Sequence, residues 1–457
     1  MGTKELNLAE PITKKIFKNY EDENIRVGIC LMQGWRKTME DTSLTMPNFD
    51  GKGNSLFGIF DGHGGSIISQ FVGCNIENVL KNSEYYEKAN YEQALIDSFI
   101  SLDELLKNKD VDTFLKKIMT HQKSNIDNFG EKASSIINKE LLRDNIKNDP
   151  YADYLFFCYS SLDNETNLRY QLPNMEKYIK KKNILVENNN NNNTDNNNKN
   201  KINSGNENRK YVSFKIINED IDKNNNGNNN IKIKDTNDLD IRKNKIMDEE
   251  DITDRKKHRT TEFKDIFPLK EKPINLISND IGTTANVLLL KKNYFYIANV
   301  GDSLSVMYKK KKAIKLNKEH KTTSDKEFNR IKKIGGKLIN YRINGKLNIT
   351  RAIGDLSYKT RNNGFIYQQD VIAIPEVNKY SLEDVDFIVM GSDGFWDYGD
   401  DIKIICDNIY NELKKDPERD LCNLIGNIFD KALAKANNYL RGTDNMSCII
   451  IQFIKKG

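Results

Sequence analysis

The chain has 457 residues, of which 71 are basic and 66 acidic, so its formal net charge is +5. This mild excess argues against nucleic-acid binding, which usually requires a concentrated basic face. Only 37% of the residues are hydrophobic, so we expect part of the chain to lie outside any packed core.

Several whole classes of protein are disfavoured by local composition. No apolar run is long enough to cross a bilayer, and the N-terminus lacks the apolar segment of a secretory signal. The six scattered cysteines form no CxxC pair, as expected of reduced thiols in a cytoplasmic or nuclear protein. Gly2 satisfies one requirement for N-myristoylation, which would give weak membrane association, but Leu6 stands where the motif has Ser or Thr. An unmodified N-terminal tail over residues 1–22 is the favoured interpretation.

The first predicted elements are two strands followed by two helices. The strands are RVGICLMQG (26–34) and SLFGIFDG (55–62). After DGHGGS, apolar residues from Ile68 to Val79 recur at helical spacing, and residues 91–106 carry a second apolar stripe.

Composition changes sharply in the middle of the chain. Residues 187–200 read ENNNNNNTDNNNKN, and over about 183–262 few apolar residues recur with any period, so disorder is predicted there. Residues 107–158 have helical patterns without an evident role. We therefore predict one domain over 23–456, interrupted by an insertion over 107–276. Closing so long a loop costs little, because the entropy cost grows only logarithmically with length.

Beyond the insertion, strands follow one another through short polar turns. The segments NVLLL, YFYIANVGDSLSVMYKK and KAIKL predict an antiparallel meander. A strand over 386–394, helices near 401–414 and 420–437, and the closing strand MSCIIIQFI follow. Strands and helices cluster rather than alternate, so the predicted fold class is α+β with mainly antiparallel sheets.

Carboxylates fall where predicted strands begin or end, beside Gly or Asn. Glu40 and Asp41 follow the first strand, Asp61 ends the second, Asp393 ends a later one, and Asp444 precedes the last. Hard cations such as Mg²⁺ and Mn²⁺ prefer oxygen ligands, and two such ions can activate one water for in-line attack on phosphorus. Any single DG or GD pair, however, more often indicates only a turn.

Two further side chains near these carboxylates suit phosphate chemistry. The planar guanidinium of Arg36 matches a phosphate, and His63 is a candidate to protonate a leaving oxygen. Each alone is more often a surface cation or a turn histidine. The occurrence of the full set in order favours the functional interpretation.

Eight consecutive stretches resemble the metal-dependent serine/threonine protein phosphatases of the 2C type, the PPM family. They are MQGWRKTMED, FGIFDGHGG, GTTANVLLL, ANVGDS, EHK followed by EFNRIKKIGG, RINGKLNITRAIGDLSYK, GSDGFWD and DNMS. The resemblance implies a sandwich of two antiparallel β-sheets flanked by α-helices, with a two-metal site between the sheets at one edge. It also implies direct hydrolysis of phosphoserine and phosphothreonine in proteins by a metal-bridging water, and we expect a monomer.

The resemblance assigns metal ligands residue by residue. Asp61 would bridge two Mg²⁺ or Mn²⁺ ions, and the carbonyl of Gly62 would bind one of them. Asp393 and Asp444 would bind the other ion.

The remaining roles also follow from the resemblance. Glu40 and Asp41 would hold coordinated waters or the metals directly, Arg36 would bind the substrate phosphate, and His63 would act as the general acid. Asn279 stands where the family often has an acidic residue that helps to hold a third metal, so a third ion is doubtful.

Other interpretations compete with this one. Cys30 and Arg36 have the C-x5-R spacing of cysteine-nucleophile tyrosine phosphatases, but Cys30 sits in an apolar strand pattern, so the spacing is interpreted as coincidence. Residues 222–233 imitate an EF-hand loop but end in Ile233 rather than glutamate, and RKKHR at 255–259 is interpreted as solvated charge rather than a nuclear-import signal. A pseudophosphatase that binds phosphoproteins without turnover is the remaining alternative, and the complete set of metal aspartates argues against it.

Overall fold

The computed structural model describes residues 7–129, 275–361, 365–397, 401–436 and 441–454, and of residues 120–129 only the backbone. The strands are β1 (Asn7–Glu21), β2 (Ile25–Arg36), β3 (Thr42–Met46), β4 (Ser55–Phe60), β5 (Gly62–His63), β6 (Gly282–Thr283), β7 (Ala285–Leu290), β8 (Tyr294–Val300), β9 (Leu304–Lys309), β10 (Lys312–Lys315), β11 (Leu338–Ile339), β12 (Arg342–Ile343), β13 (Ile353–Gly354), β14 (Glu376–Ser381), β15 (Val385–Gly391) and β16 (Met446–Phe453). The helices are α1 (Ile67–Lys81), α2 (Glu84–Glu87), α3 (Tyr91–Leu105), α4 (Lys109–Phe129), α5 (Asp325–Lys333), α6 (Asp393–Trp396), α7 (Ile402–Lys415) and α8 (Leu421–Ala432).

Two antiparallel sheets form the centre of the described structure. One has six strands in the order β1-β2-β16-β15-β9-β10, and the other has five in the order β14-β8-β7-β4-β3. Two smaller sheets, β13-β6-β5 and β11-β12, are separate from these two sheets. The mixed α+β class with antiparallel sheets and flanking helices is confirmed.

The strands of the six-stranded sheet are apolar on both faces because both faces are covered. Along β2, Ile29 and Leu31 belong to the core between the two sheets, together with Phe57 of β4. The alternate residues Cys30 and Met32 belong to a second core, formed with helices. Successive side chains of a strand point to opposite faces, so a near-continuous apolar run is what a strand in this position requires.

Helices cover the outer face of each sheet. Phe71 of α1, Phe99 of α3 and Leu115 of α4 are buried in one core cluster with residues of the five-stranded sheet. Ile405 of α7 and Ile425 of α8 are buried in the cluster on the six-stranded sheet. The described layers are therefore helices, sheet, sheet and helices. In these ranges no helix is long and apolar enough to cross a membrane.

The predicted meander is wrong in one respect. Strands β7 and β8 belong to the five-stranded sheet, whereas β9 and β10 belong to the six-stranded sheet. The chain crosses between the sheets at Gly301–Ser303, where Gly301 has φ +95°. A Cβ on Gly301 would lie 2.5 Å from Cγ2 of Thr284, so the close approach requires glycine. The crossing places Asp302 between the two sheets.

The segment predicted as an N-terminal tail differs from the structure. Its residues 7–21 form β1, which pairs with β2 from Asn7 opposite Arg36 to Glu21 opposite Arg26. Phe17 of β1 lies against Gly426 of α8. The segment lacks strict alternation, and Pro11, which has no N–H to donate, falls within an irregular part of the pairing. For these reasons, the sequence did not predict this strand.

The predicted insertion over 107–276 overlaps a helix of the core. Leu115 and Ile118 of α4 are fully or almost fully buried against residues of α1 and α3. The asparagine-rich stretch within 183–262, the EF-hand-like residues 222–233 and the basic residues 255–259 all lie outside the described residues. The domain boundaries stay predictions.

Candidate active site

Five aspartates converge from strand ends, and we call them the carboxylate cluster. They are Asp41 before β3, Asp61 after β4, Asp302 between β8 and β9, Asp393 at the start of α6, and Asp444 shortly before β16. Each lies within electrostatic range of others in the set. Asp41 and Asp302 are buried, and the other three are partly buried.

Carboxylates of the cluster are held close to one another, so their negative charges repel. Burial raises the pKa of Asp61 well above its ordinary value, and the other members raise it further. The pKa of Asp393 is also raised, by burial first and then by Asp302 and Asp444. Buried carboxylates that share one site cannot all carry their charge unless protons or cations balance it.

The donor set fits hard divalent cations. All its members offer oxygen, and such cations also take backbone carbonyl ligands. At Gly62 a Cβ would lie 2.5 Å from the carbonyl oxygen of Glu40, so the backbone there tolerates no side chain. Within the described ranges, no three His, Cys, Asp or Glu side chains already stand close enough together to hold an ion. The chemistry of the donors therefore fits, whereas the side chains would have to draw together around the ions.

Hydrogen bonds from the GTT motif hold Asp61 in place. The backbone N–H of Asp61 donates to Oγ1 of Thr284 at 3.1 Å, and its carbonyl accepts the N–H of Thr284 at 2.9 Å. The hydroxyl of Thr283 donates to the same carbonyl at 3.1 Å. These hydrogen bonds fix the backbone of Asp61 beside the start of β7. They also account for the two threonines that follow glycine in the GTT motif.

Polar residues around β16 hold the loop after β2. The hydroxyl of Ser447 donates to Oδ2 of Asp41 at 2.7 Å. The amide side chain of Asn445 accepts the N–H of Glu40 at 2.9 Å and donates to the carbonyl oxygen of Thr38 at 3.0 Å. The DNMS motif therefore ties this loop to the last strand.

Glu40 occupies a different place from the five aspartates. One of its carboxylate oxygens accepts a hydrogen bond from the hydroxyl of Thr38 at 2.7 Å, and the other accepts one from the N–H of Gly65 at 3.1 Å. Glu40 therefore ties the loop after β2 to the DGHGG turn that follows Asp61.

Two cations border the carboxylate cluster. Arg36 donates from its guanidinium to Asp444. Nζ of Lys321 lies 3.3 Å from Oδ2 of Asp302 and 2.9 Å from Oε1 of Glu319. Arg36 was predicted for the site, whereas Lys321 and Asp302 were not. The signal for Asp302 was present, since it follows a strand and lies beside a glycine, as Asp61 and Asp393 do.

His63 makes its main contact with a residue that sequence reasoning did not single out. Its Nε2 lies 2.7 Å from Oδ2 of Asp355, which belongs to the RAIGD motif. Burial disfavours the charged ring, but the carboxylates of Asp355, Asp302 and Glu40 outweigh it and raise the pKa of His63.

The cysteine-nucleophile interpretation has no structural support. Cys30 is fully buried, and burial raises the pKa of its thiol. Cys30 and Arg36 lie six positions apart on the extended strand β2, a separation of about 20 Å at roughly 3.3 Å per residue. They cannot form one phosphate-binding loop.

Comparisons with known proteins identify the family of this chain. The family model of protein phosphatase 2C matches residues 25–133 and 196–438. Probable protein phosphatase 2C 21 of Arabidopsis thaliana is 26% identical over 459 residues, covering 100% of this chain and 93% of that protein. Probable protein phosphatase 2C 6 of Paramecium tetraurelia is 24% identical over 447 residues, covering 98% of each. A solved phosphatase structure from Toxoplasma gondii covers 96% of both chains at 16% identity, with a TM-score of 0.48. Since the family model spans well over half of the chain, this protein belongs to the protein phosphatase 2C family.

Proposed function

We propose that the chain is a metal-dependent serine/threonine protein phosphatase that hydrolyses phosphoserine and phosphothreonine directly. The observation that carries the proposal is the carboxylate cluster, in which the pKa values of Asp61 and Asp393 are raised, together with Arg36 beside it and His63 near Asp61 in the chain. Family membership supports protein phosphatase activity. The pseudophosphatase alternative gains no support, because every carboxylate that it would be expected to lose is present.

The ligands of two Mg²⁺ or Mn²⁺ ions would be Asp61, the Gly62 carbonyl, Asp393 and Asp444, and Glu40 and Asp41 would hold coordinated waters or the metals directly. Divalent cations, when bound, would supply the charge that offsets these carboxylates and activates the attacking water.

The chain's own residues bind the phosphate and move the proton. Arg36 contacts Asp444, so its guanidinium lies at the edge of the carboxylate cluster, where phosphate oxygens can accept its N–H groups. His63 carries a proton more readily than an ordinary histidine, because neighbouring carboxylates favour its charged form. It donates that proton to the alcohol oxygen that leaves, and this matters most for poor leaving groups such as the threonine alkoxide.

The test is hydrolysis of a phosphothreonine peptide by the full chain, with Mn²⁺ or Mg²⁺ and with a chelator. We expect turnover with metal, none with chelator, and recovery when metal is restored. Asp61→Asn and Asp393→Asn should each reduce turnover by more than about 100-fold. The matched control is Asp430→Asn, since Asp430 is an exposed carboxylate paired with Lys15 outside the site, and it should retain activity.

Other outcomes would favour the alternatives. Turnover that survives chelation, or that is abolished by alkylating Cys30 alone, would refute metal dependence. Absence of turnover with every metal and phosphopeptide tried would favour a phosphoprotein-binding role. His63→Gln should slow an alkyl phosphate more than an aryl phosphate, because the aryl oxygen leaves without help, and equal slowing would argue against a general acid.

A further inference from the structure

Asp355 is a buried carboxylate aimed at the side chain that the proposed mechanism uses as its acid. Oδ2 of Asp355 lies 2.7 Å from Nε2 of His63, within hydrogen-bond distance. The side chain of Asp355 is only 3% exposed, whereas that of His63 is 29% exposed. The carboxylate is thus enclosed by protein, and the imidazole reaches from it towards solvent.

The small sheet β13-β6-β5 brings these two residues together. Gly282 of its central strand lies directly opposite both His63 of β5 and Gly354 of β13. A Cβ on Gly282 would lie 2.5 Å from Oδ2 of Asp355 and 2.8 Å from Nε2 of His63. Only glycine at this position leaves room for the two side chains to meet.

The backbone at Asp355 is held in an unfavourable conformation. Asp355 has φ +50° and Gly354 has φ +87°, both in the left-handed region. For a residue other than glycine, this conformation costs about 1 kcal/mol or more and persists only where the surroundings enforce it. The N–H of Asp355 donates to the carbonyl oxygen of Ile281 at 3.1 Å. The strained turn aims the carboxylate at His63 and not at solvent.

A buried ion pair supports this turn from behind. The carboxylate of Asp103 on α3 accepts the N–H of Gly354 at 3.0 Å and also binds Nζ of Lys359. Nζ of Lys359 donates in turn to the carbonyl oxygen of Ala352 at 2.9 Å. Residues 352–359 are therefore anchored on both sides of Asp355. A carboxylate can orient another side chain only if its own position is fixed in this way.

We propose that Asp355 is a positioning residue for His63: it accepts the Nε2–H hydrogen bond, fixes the ring, and leaves Nδ1 to face the leaving oxygen. This role rests on the proposed function, since it refines how that site delivers its proton. A carboxylate that orients a histidine in this way selects one tautomer and one ring rotamer.

The chemical step balances without any further reactant. Water oxygen joins phosphorus, the bond from phosphorus to the alcohol oxygen breaks, and that oxygen takes the proton from Nδ1 of His63. The attacking water leaves one proton on the phosphate and releases the other to solvent, from which His63 takes up a proton again. Asp355 keeps its hydrogen bond throughout and exchanges no proton.

The experiment compares two substrates and a double-mutant cycle in the full chain with Mn²⁺. Asp355→Asn should lower kcat for a phosphothreonine peptide by about 10–100-fold with KM nearly unchanged, but lower p-nitrophenyl phosphate turnover by less than about threefold. In a His63→Gln background, Asp355→Asn should add less than about twofold, because the two residues act as a unit. Histidine-selective NMR, in a chain with only four histidines, should show a hydrogen-bonded ring N–H that is lost in both single variants.

Matched variants separate positioning from a purely structural role. Asp370→Asn removes another buried carboxylate, which pairs with Arg361, and should not distinguish the two substrates. If Asp355→Asn does not fold, Gly282→Ala keeps both side chains but places a methyl group between them, and should show the same substrate discrimination.

Three results would overturn the role of Asp355. They are equal slowing of both substrates, a full additional loss in the His63→Gln background, and a ring N–H signal that persists in Asp355→Asn. A wild-type chain that hydrolyses neither substrate would instead refute the proposed function itself, and this role with it.

Discussion

The buried charge of Glu327 on α5 should stabilise the fold measurably, and Glu327→Gln tests this. Glu327 is 1% exposed. Its Oε1 accepts a hydrogen bond from Arg351 at 2.6 Å, and its Oε2 accepts one from Arg330 at 2.9 Å. Burial alone would raise the pKa of Glu327, but the two arginines outweigh burial and lower it to about 2.

The magnitude follows from the difference between the folded and unfolded states. The pKa of Glu327 falls from 4.5 to about 2. At 1.36 kcal/mol for each pKa unit, this is a stabilisation of about 3 kcal/mol at pH 7. Because the folded pKa is the lower one, the stabilisation is complete above the unfolded value of 4.5 and is lost as the pH falls through about 2. At pH 3.5 about 2 kcal/mol remains.

The assay is urea denaturation of the wild type and Glu327→Gln at pH 7, 5 and 3.5, read as the change in midpoint at constant m-value. The variant should lose about 3–5 kcal/mol at pH 7, since the buried Arg351 and the partly buried Arg330 also lose their carboxylate partner. The loss should shrink by about 1 kcal/mol at pH 3.5. Glu412→Gln is the control, because Glu412 forms ion pairs at the surface with Lys415 and Arg419.

Two results would refute this reasoning about Glu327. One is a destabilisation that is the same at pH 7 and pH 3.5, which would mean that the carboxylate charge does not carry the effect. The other is a loss no larger than that of Glu412→Gln, which would mean that burial adds nothing to the pair.

Three further predictions concern packing, substrate binding and the thiol. Gly28→Ala should destabilise the protein by about 1–3 kcal/mol in thermal denaturation, because the new Cβ would lie 2.4 Å from Cβ of Leu421; an unchanged melting temperature would contradict this close approach. Arg36→Lys should lower kcat/KM for a phosphothreonine peptide by about 10–100-fold, because an ammonium cannot replace the planar fork beside Asp444, and full activity would remove Arg36 from the phosphate site. Cys30→Ala should retain metal-dependent turnover at a temperature where it stays folded, whereas complete loss of turnover in a folded variant would revive the cysteine mechanism.

Much of the carboxylate cluster was predictable because its signals are local. A strand that ends in Asp beside Gly can be recognised without knowing its neighbours, as at Asp61 and Asp393. The core could be predicted for the same reason, since β2 is apolar at successive positions and must be covered on both faces. Order along the chain then supplied the family resemblance. The residues identified in this way are those that can be recognised from their own flanking sequence.

The residues that were missed are those whose role depends on where the chain goes next. Asp302 follows β8 beside Gly301, much as Asp61 and Asp393 lie beside glycine at strand ends, but a meander would have kept it in one sheet. It lies among the other carboxylates only because the chain changes sheets at Gly301. Asp355 depends on still more distant partners, since Gly282 must separate two short strands for it to reach His63. Pairings between such short strands show no repeating sequence pattern and little local propensity, so Asp355, which we propose orients His63, is harder to predict than His63 itself.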